Sequence, residues 1–403
     1  MSMNDTPRSE RLHIALFGKR NAGKSSVINA MTNQELAIVS DVKGTTTDPV
    51  YKAMEILPIG PVVLIDTPGL DDTGELGELR IKKTMEVLRK TNVAMIILDG
   101  EEGITKVEEE LLDRLKKEKI STILVLNKCD LLKEEQIEKV KEKIKKEIPF
   151  IVISALKKIG INELRDKLAS YVMKDEKEEK VIVGDLIEPG DFVVLVVPID
   201  KAAPKGRLIL PQQQTIRDIL DANATSIVVK ETDLKETLNK LGTKPSMVIT
   251  DSQAFEKVAK DTPDDIRLTS FSILFARYKG ELEVLVKGAR AIETLEDGDK
   301  ILMSEGCTHH RQCGDIGTQK LPNWIRKYTK KDLIFETSSG THFPDDLTKY
   351  KMIVHCGACM LNEKEMKSRI KMASVAGVPI VNYGVLIAYL KGILDRSLEP
   401  FEI

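Results

Sequence analysis

A chain of 403 residues exceeds what one hydrophobic core organises, and at roughly 100–200 residues per domain it divides into several. Its 61 basic and 63 acidic residues are interspersed and leave a formal charge of −2, which offers nucleic acid no electrostatic purchase. Hydrophobic residues make up 42%, no apolar run approaches the ~20 residues of a membrane span, and the stretch from Met1 to Glu10 lacks the apolar core of a signal peptide. The expectation is a cytoplasmic protein, free of membrane and nucleic acid, in which clustered cysteines bind metal or do chemistry rather than form disulfides.

In chain order, the first segment is expected over residues 8–174. The apolar run Leu12–Phe17 ends in Gly18-Lys19-Arg20-Asn21-Ala22-Gly23-Lys24-Ser25 and continues into the helical Ser26-Val27-Ile28-Asn29-Ala30. Strand, glycine loop and helix are the context in which a phosphate-binding loop is credible. The amides from Gly18 through Ser26 would cradle phosphates, Lys24 would neutralise the β and γ oxygens, and Ser25 would ligate magnesium. The polar loop Gly44-Thr45-Thr46-Thr47-Asp48 follows, where Thr46 would close over the metal.

A second strand, Val62–Ile65, runs into Asp66-Thr67-Pro68-Gly69, with Asp66 for the magnesium shell and the Gly69 amide for the γ-phosphate. Strand Thr122–Leu126 delivers Asn127-Lys128-Cys129-Asp130, whose carboxylate can accept both N–H groups of guanine. Strand Phe150–Ile153 delivers Ser154 and Ala155 to the guanine carbonyl. Five elements in this order point to GTP and GDP as ligands. Cys129 reads as a small packed side chain, and the run Lys133–Ile148 as a solvated amphipathic helix.

This segment resembles the GTPase group that includes the bacterial tRNA-modifying and ribosome-assembly G proteins. The resemblance implies a potassium ion at Asn21 and potassium-stimulated hydrolysis. Leu70 stands where Ras-like proteins have a water-orienting glutamine, and the resemblance offers Glu78 as an acidic helper among the catalytic residues Lys24, Thr46, Gly69 and Glu78.

After the charged stretch Met173–Lys180, the apolar runs Phe192–Pro198, Thr225–Val229 and Ser246–Thr250 alternate with helical patterns, which predicts a small parallel α/β unit over 181–265. With no clustered acid–base groups, and with the loop Lys205-Gly206-Arg207 leading into the apolar Leu208-Ile209-Leu210, this unit is expected to mediate self-association as a homodimer.

The remainder, 266–403, opens with helical patterns at Ser270–Lys279 and Leu282–Thr294. Strands at Lys300–Met303, Asp332–Phe335, Met352–Val354 and Pro379–Val381 follow, separated by helices at Asp315–Tyr328 and Asn362–Ala376. An open parallel sheet binds ligands beyond the carboxyl ends of its strands. Cys307 follows the first of these strands, while Cys356 and Cys359 follow the third. Two thiolates on one turn can hold a metal or irons of one cluster, and three thiolates with an imidazole can hold structural zinc, so the motif leaves the metal open. Cys313 and His310 are weaker candidates, and His342 reads as polar lining. His309 and His355 stand beside the cysteines, where a histidine can orient a site without ligating it.

The pattern Cys307-x-His309 with His355-Cys356-x-x-Cys359, joined to an N-terminal GTPase, resembles the HydF family of [FeFe]-hydrogenase maturation GTPases. That resemblance implies a [4Fe–4S] cluster on Cys307, Cys356 and Cys359, with His309 a candidate fourth ligand. It also implies a diiron subcluster precursor as cargo, and apo-[FeFe]-hydrogenase and the radical-SAM maturases as partners. The expected fold class is therefore α/β: a P-loop GTPase domain, a small α/β dimerisation domain, and a parallel α/β iron–sulfur cluster domain. A ribosome- or tRNA-associated GTPase with a structural zinc domain is the competing expectation.

Overall fold

The structure, a computed structural model, describes residues 6–32, 48–57, 59–70, 83–144, 148–175, 180–198, 208–306, 316–340 and 342–401. Thr46, Glu78, the loop 205–207, Cys307, His309, His310 and Cys313 lie outside the described residues. The chain forms two compact units, Met1–Glu179 and Lys180–Ile403. Among the described residues no helix is long and apolar enough to cross a membrane.

The first unit is built on one sheet of β1 (Leu12–Phe17), β2 (Val50–Ile56), β3 (Gly60–Asp66), β4 (Val93–Asp99), β5 (Ser121–Asn127) and β6 (Phe150–Val152), in the order β2-β3-β1-β4-β5-β6. Only β2 runs antiparallel to its neighbour. The central strands read as unbroken apolar runs because both sheet faces are covered. Ile14, Leu16, Leu64, Met95 and Val125 pack with Val27, Ile28, Leu164 and Leu168 in one core cluster. Ala15, Phe17, Ile65, Ile96 and Leu124 pack with Leu111 and Leu115 in another.

The second unit holds two four-stranded, all-parallel sheets. The first comprises β7 (Phe192–Val196), β8 (Thr225–Val229), β9 (Met247–Thr250) and β10 (Arg267–Ser270), in the order β10-β9-β7-β8. The second comprises β11 (Lys300–Glu305), β12 (Ile334–Ser339), β13 (Met352–His355) and β14 (Ile380–Asn382), in the order β12-β11-β13-β14. Both sheets share one continuous core cluster. β10 lies just past the residue at which the sequence suggests a new domain, and it completes the earlier sheet by pairing with β9.

Strands pass directly into helices through side-chain caps. Ser270 ends β10 and accepts the Ile273 N–H at 3.2 Å, starting the helix Phe271–Lys279. Asn382 ends β14 and accepts the Val385 N–H at 2.7 Å, starting the helix Tyr383–Leu390. Each cap satisfies an amide that the helix itself leaves unpaired. These two helices approach so closely that a Cβ on Gly384 would stand 2.0 Å from the Ser272 Cβ. At the entry to the unit, one carboxylate oxygen of Asp218 accepts the N–H groups of Ile182, Val183 and Gly184 at 3.1, 2.8 and 2.7 Å.

Candidate nucleotide site and cysteine loop

In the first unit the motif residues gather at the carboxyl ends of β1, β3, β5 and β6. The loop after β1 must turn back tightly: Asn21 has φ 62° and Gly23 has φ 90°. Gly18, at φ 144°, sits where a Cβ would be 2.3 Å from the Ile97 carbonyl oxygen. Lys24 is buried, and its Nζ donates to the carbonyls of Gly18 at 3.0 Å and Lys19 at 2.8 Å. The ammonium is thus held within the loop whose amides would face phosphate.

β1 and β3 pair with Leu16 opposite Asp66, which sets the carboxylate beside the start of the helix Lys24–Thr32. Ser25 Oγ donates to Asp66 Oδ2 at 2.6 Å. The other oxygen, Oδ1, is buried and has no hydrogen-bond partner among the described residues. Burial raises the Asp66 pKa, while the Ser25 hydrogen bond and the Lys24 charge pull it down. The Ser25 hydroxyl and the Asp66 carboxylate, one of whose oxygens is orphaned, form a donor set that suits a hard divalent cation and its water shell.

Asn127 ties the phosphate loop to the base-binding loop. Its Nδ2 donates to the Ala22 carbonyl at 2.9 Å, and its Oδ1 accepts the Ala155 N–H at 3.0 Å. Ser154 is fully buried and Ala155 nearly so, whereas Asp130 is exposed, open to a ligand from solvent. Lys128, at φ 64°, forms a 2.6 Å ion pair with Asp99. Sequence reasoning missed Asp99, although its place at the end of β4, opposite Asn127, marks it. Cys129 is half-buried, and burial pushes its thiol pKa up, as suits a packed side chain. Gly69 lies in the loop after β3, where the N–H of the next residue, Leu70, reaches the Gly18 carbonyl at 3.4 Å.

In the second unit β11 and β13 are neighbours, with Ser304 opposite His355. The Cys356 N–H donates to the Ser304 carbonyl at 2.8 Å. The N–H of Gly306, the residue preceding Cys307 in the chain, donates to Cys356 Sγ at 3.0 Å. Leu361 folds back over Gly306, where a Cβ would meet it at 2.7 Å. Ala358 takes φ 53° to close the turn between the cysteines, and Asn362 then caps the helix Glu363–Val375 through the Glu365 N–H. Cys359 sits deep enough that burial, seconded by the charge of Cys356, raises its pKa, while Lys279 pulls the other way.

His355 is fully buried. Its Nε2 lies 3.0 Å from an Arg369 nitrogen, and its Nδ1 lies 2.8 Å from the Cys356 carbonyl oxygen. Arginine only donates, so Nε2 accepts and the Nδ1 proton goes to the carbonyl. Arg369, 2% exposed, also pairs with Glu365 at 2.9 Å, donates to the Gly340 carbonyl at 3.1 Å and stacks on Phe343. The sequence held a signal for it: Met366, Arg369, Ile370 and Ala373 form one buried stripe of their helix, and arginine is out of place on such a stripe. His342 is exposed. Among the described residues no three His, Cys, Asp or Glu side chains are grouped to hold a metal ion. Two thiols on one turn, one within reach of the residue before a third cysteine, nevertheless form a donor set that fits iron or zinc.

Comparison with known proteins finds three successive matches along the chain. Residues 13–128 match a family model described as 50S ribosome-binding GTPase. Residues 182–280 match the hydrogen maturase F dimerization domain, and residues 283–400 the hydrogen maturase F tetramerization domain. The tRNA modification GTPase MnmE of Thermoanaerobacter sp. is 36% identical over 179 residues, covering 43% of this chain and 38% of that protein. GTPase Der of Nitratiruptor sp. is 34% identical over 166 residues, covering 39% of this chain and 36% of that protein. The chain thus spans well under half the length of these relatives. Among solved structures, an Aquifex aeolicus Era variant bound to GDP and AlF4− is 19% identical, with a TM-score of 0.38 over 62% of this chain and 97% of that one. The first unit is a GTPase domain; with two adjacent hydrogen maturase F segments filling the second, the chain belongs to the HydF family.

Proposed function

We propose that this protein is a GTP-hydrolysing scaffold that carries an iron–sulfur cluster on its second unit and delivers a diiron subcluster precursor to apo-[FeFe]-hydrogenase. The observation that carries the reading is the pairing of β11 with β13, which brings the residue before Cys307 against Cys356 Sγ in a chain that also holds a complete guanine-nucleotide motif set. Three functional segments follow: 8–174 hydrolyses GTP, 181–265 joins copies of the chain as a dimer, and 266–403 presents the cysteines.

In the first segment, Lys24 exchanges its loop carbonyls for the β and γ oxygens, Ser25 and Asp66 hold magnesium and its waters, and Asn21 contacts potassium. Thr46 and Gly69 sense the γ-phosphate, and Glu78 assists hydrolysis. Asn127, Lys128 and Asp130, with Ser154 and Ala155, select guanine. In the third, Cys307, Cys356 and Cys359 hold the cluster, with His309 a candidate for the fourth position. A [4Fe–4S] cluster held by three cysteines supplies an iron with an exchangeable ligand, where cargo can dock and leave. His355 contributes by holding the Cys356 carbonyl through its Nδ1. Nucleotide turnover acts as a switch on partner exchange with the hydrogenase and the radical-SAM maturases, since phosphate-sensing loops reorganise with the γ-phosphate.

Anaerobic reconstitution followed by iron, sulfide and zinc counting tests the proposal, with GTP turnover measured in potassium and in sodium. Lys24→Ala is expected to abolish turnover and keep the cluster, and Cys359→Ser to do the reverse. Zinc in place of iron, together with RNA binding, would favour the RNA-associated reading that the MnmE likeness of the first unit raises.

A further inference from the structure

Lys128 stands between Asn127 and Asp130 in the base-binding turn, and its backbone is left-handed at φ 64°. A residue that carries a Cβ keeps that conformation only where its surroundings hold it. The direction in which the chain leaves Asn127, and with it the aim of the Asp130 carboxylate, therefore depends on what fixes Lys128.

The loop after β4 supplies the hold. β4 and β5 end side by side with Asp99 opposite Asn127, and the Asp99 carboxylate meets the Lys128 ammonium at 2.6 Å. Asp99 is itself fixed: its Oδ1 accepts the Glu101 N–H at 3.0 Å, and its carbonyl accepts the Gly103 N–H at 2.8 Å. Gly100 lets the two loops touch, since a Cβ there would stand 2.7 Å from the Asn127 carbonyl oxygen and 2.9 Å from Leu132 Cδ1. The Asp99 side chain is 14% exposed and that of Lys128 31%, so water and salt screen this pair less than a pair on open surface. The same loop offers a contrast in Glu102, which pairs with Lys19 of the phosphate loop at 2.7 Å but has a side chain 56% exposed. A pair that open to solvent contributes little.

We infer that Asp99 is a positioning residue for guanine-nucleotide binding: its carboxylate holds Lys128 in the left-handed turn that aims Asp130 at the base, and so prolongs the stay of the nucleotide. The inference deepens the base-binding role proposed above for Asn127, Lys128 and Asp130, and it rests on that role. The phosphate end of the site is organised by other groups, Lys24 on its loop carbonyls and Ser25 on Asp66, so Asp99 acts on binding more than on turnover.

The test compares full-length wild type, Asp99→Asn, Lys128→Met, the double variant of these two, and Glu102→Gln. The readouts are the dissociation rate of a fluorescent GDP analogue, the affinities for GDP and inosine diphosphate by displacement, and KM and kcat for GTP in potassium. Inosine diphosphate lacks the 2-amino group whose proton Asp130 would accept. Asparagine matches aspartate in shape and still accepts the Glu101 N–H, so the change removes the charge alone. Asp99→Asn is expected to weaken GDP at least about tenfold, the worth of one charge-assisted hydrogen bond, and inosine diphosphate by less than about threefold. KM for GTP is expected to rise with the loss of GDP affinity while kcat falls much less. The double variant is expected to lose no more than Lys128→Met alone, because Asp99 acts through that lysine. Glu102→Gln is expected to stay within about twofold of wild type.

A general loosening of the fold would weaken both nucleotides alike, so equal losses for GDP and inosine diphosphate would overturn the inference. So would losses that add in the double variant, a Glu102→Gln variant as weak as Asp99→Asn, or an Asp99→Asn variant that binds GDP as tightly as wild type while Lys128→Met does not. If Lys128→Met itself binds GDP as tightly as wild type, the base-binding role of the turn fails and the inference fails with it.

Discussion

Removing Arg369 is expected to destabilise the second unit more than any exposed substitution. Its guanidinium is 2% exposed, and changing it to methionine strands Glu365, a carboxylate 8% exposed, without its partner. Breaking a buried ion pair from one side costs about 3–5 kcal/mol. The change also withdraws the donor from His355 Nε2 and from the Gly340 carbonyl. About 4 kcal/mol is a fair working figure, and with a urea slope of about 3 kcal/mol per M it lowers the midpoint by about 1.3 M. The assay has a built-in reporter: the chain's one tryptophan, Trp324, lies in the second unit, so its fluorescence follows that unit's unfolding and not the first unit's. The double variant Arg369→Met with Glu365→Leu removes both charges and is expected to regain about 1–3 kcal/mol of the loss. What stays lost is the histidine and carbonyl acceptors, worth about 1–3 kcal/mol. A single variant within about 1 kcal/mol of wild type, or a double variant whose effects simply add, would refute the claim that the pair is buried and mutually dependent.

In the first unit, Gly18→Ala places a methyl 2.3 Å from the Ile97 carbonyl oxygen at a φ of 144°. Binding of a fluorescent GTP analogue is expected to weaken at least tenfold and the melting temperature of that unit to fall; unchanged binding would show that the loop can move aside. In the second unit, Tyr350, Lys349 and Lys300 around Glu336 hold its pKa down at about 2, against an ordinary 4.5. A depressed carboxylate pKa adds stability above the unfolded value and loses it as pH falls through the folded one. The stability gap between wild type and Glu336→Gln is therefore expected to be constant above about pH 5 and to close between about pH 4.5 and 2; a gap independent of pH would remove the ionic explanation.

The placement of the GTPase motifs at strand ends was legible in the sequence, because each of them is local and sits at the end of an apolar run. β1, β3 and β5 are covered on both faces, so they announce themselves as continuous hydrophobic stretches, and Lys24, Asp66 and Asn127 follow from where those stretches stop. β11, β13 and β14 were legible for the same reason, including the neighbourhood of Gly306 and Cys356. β12 instead runs Ile334–Ser339 and not over the expected Asp332–Phe335, because its second half is polar and its surface largely open. Hidden from the sequence were interactions that depend on which helix lies over which loop. Lys279 reaches Leu361, and Arg369 reaches Gly340 and His355, across separations that no periodicity encodes. β10 was hidden by its brevity: four residues before a capped helix carry too little pattern to show which sheet they extend.

The continuous core beneath the two sheets of the second unit bears on how such a protein could be assembled from parts. The helix Phe271–Lys279 lies on one side of the division between the two hydrogen maturase F segments, and the helix Tyr383–Leu390 lies on the other. Their backbones meet where Gly384 leaves room for Ser272, and Asn382 Nδ2 donates to the Ser272 carbonyl at 3.2 Å. A gene cut between residues 280 and 283 would therefore expose apolar faces on both products and separate Lys279 from the cysteine turn. The two segments share one core and so behave as one folding unit, whereas the GTPase domain has core clusters of its own.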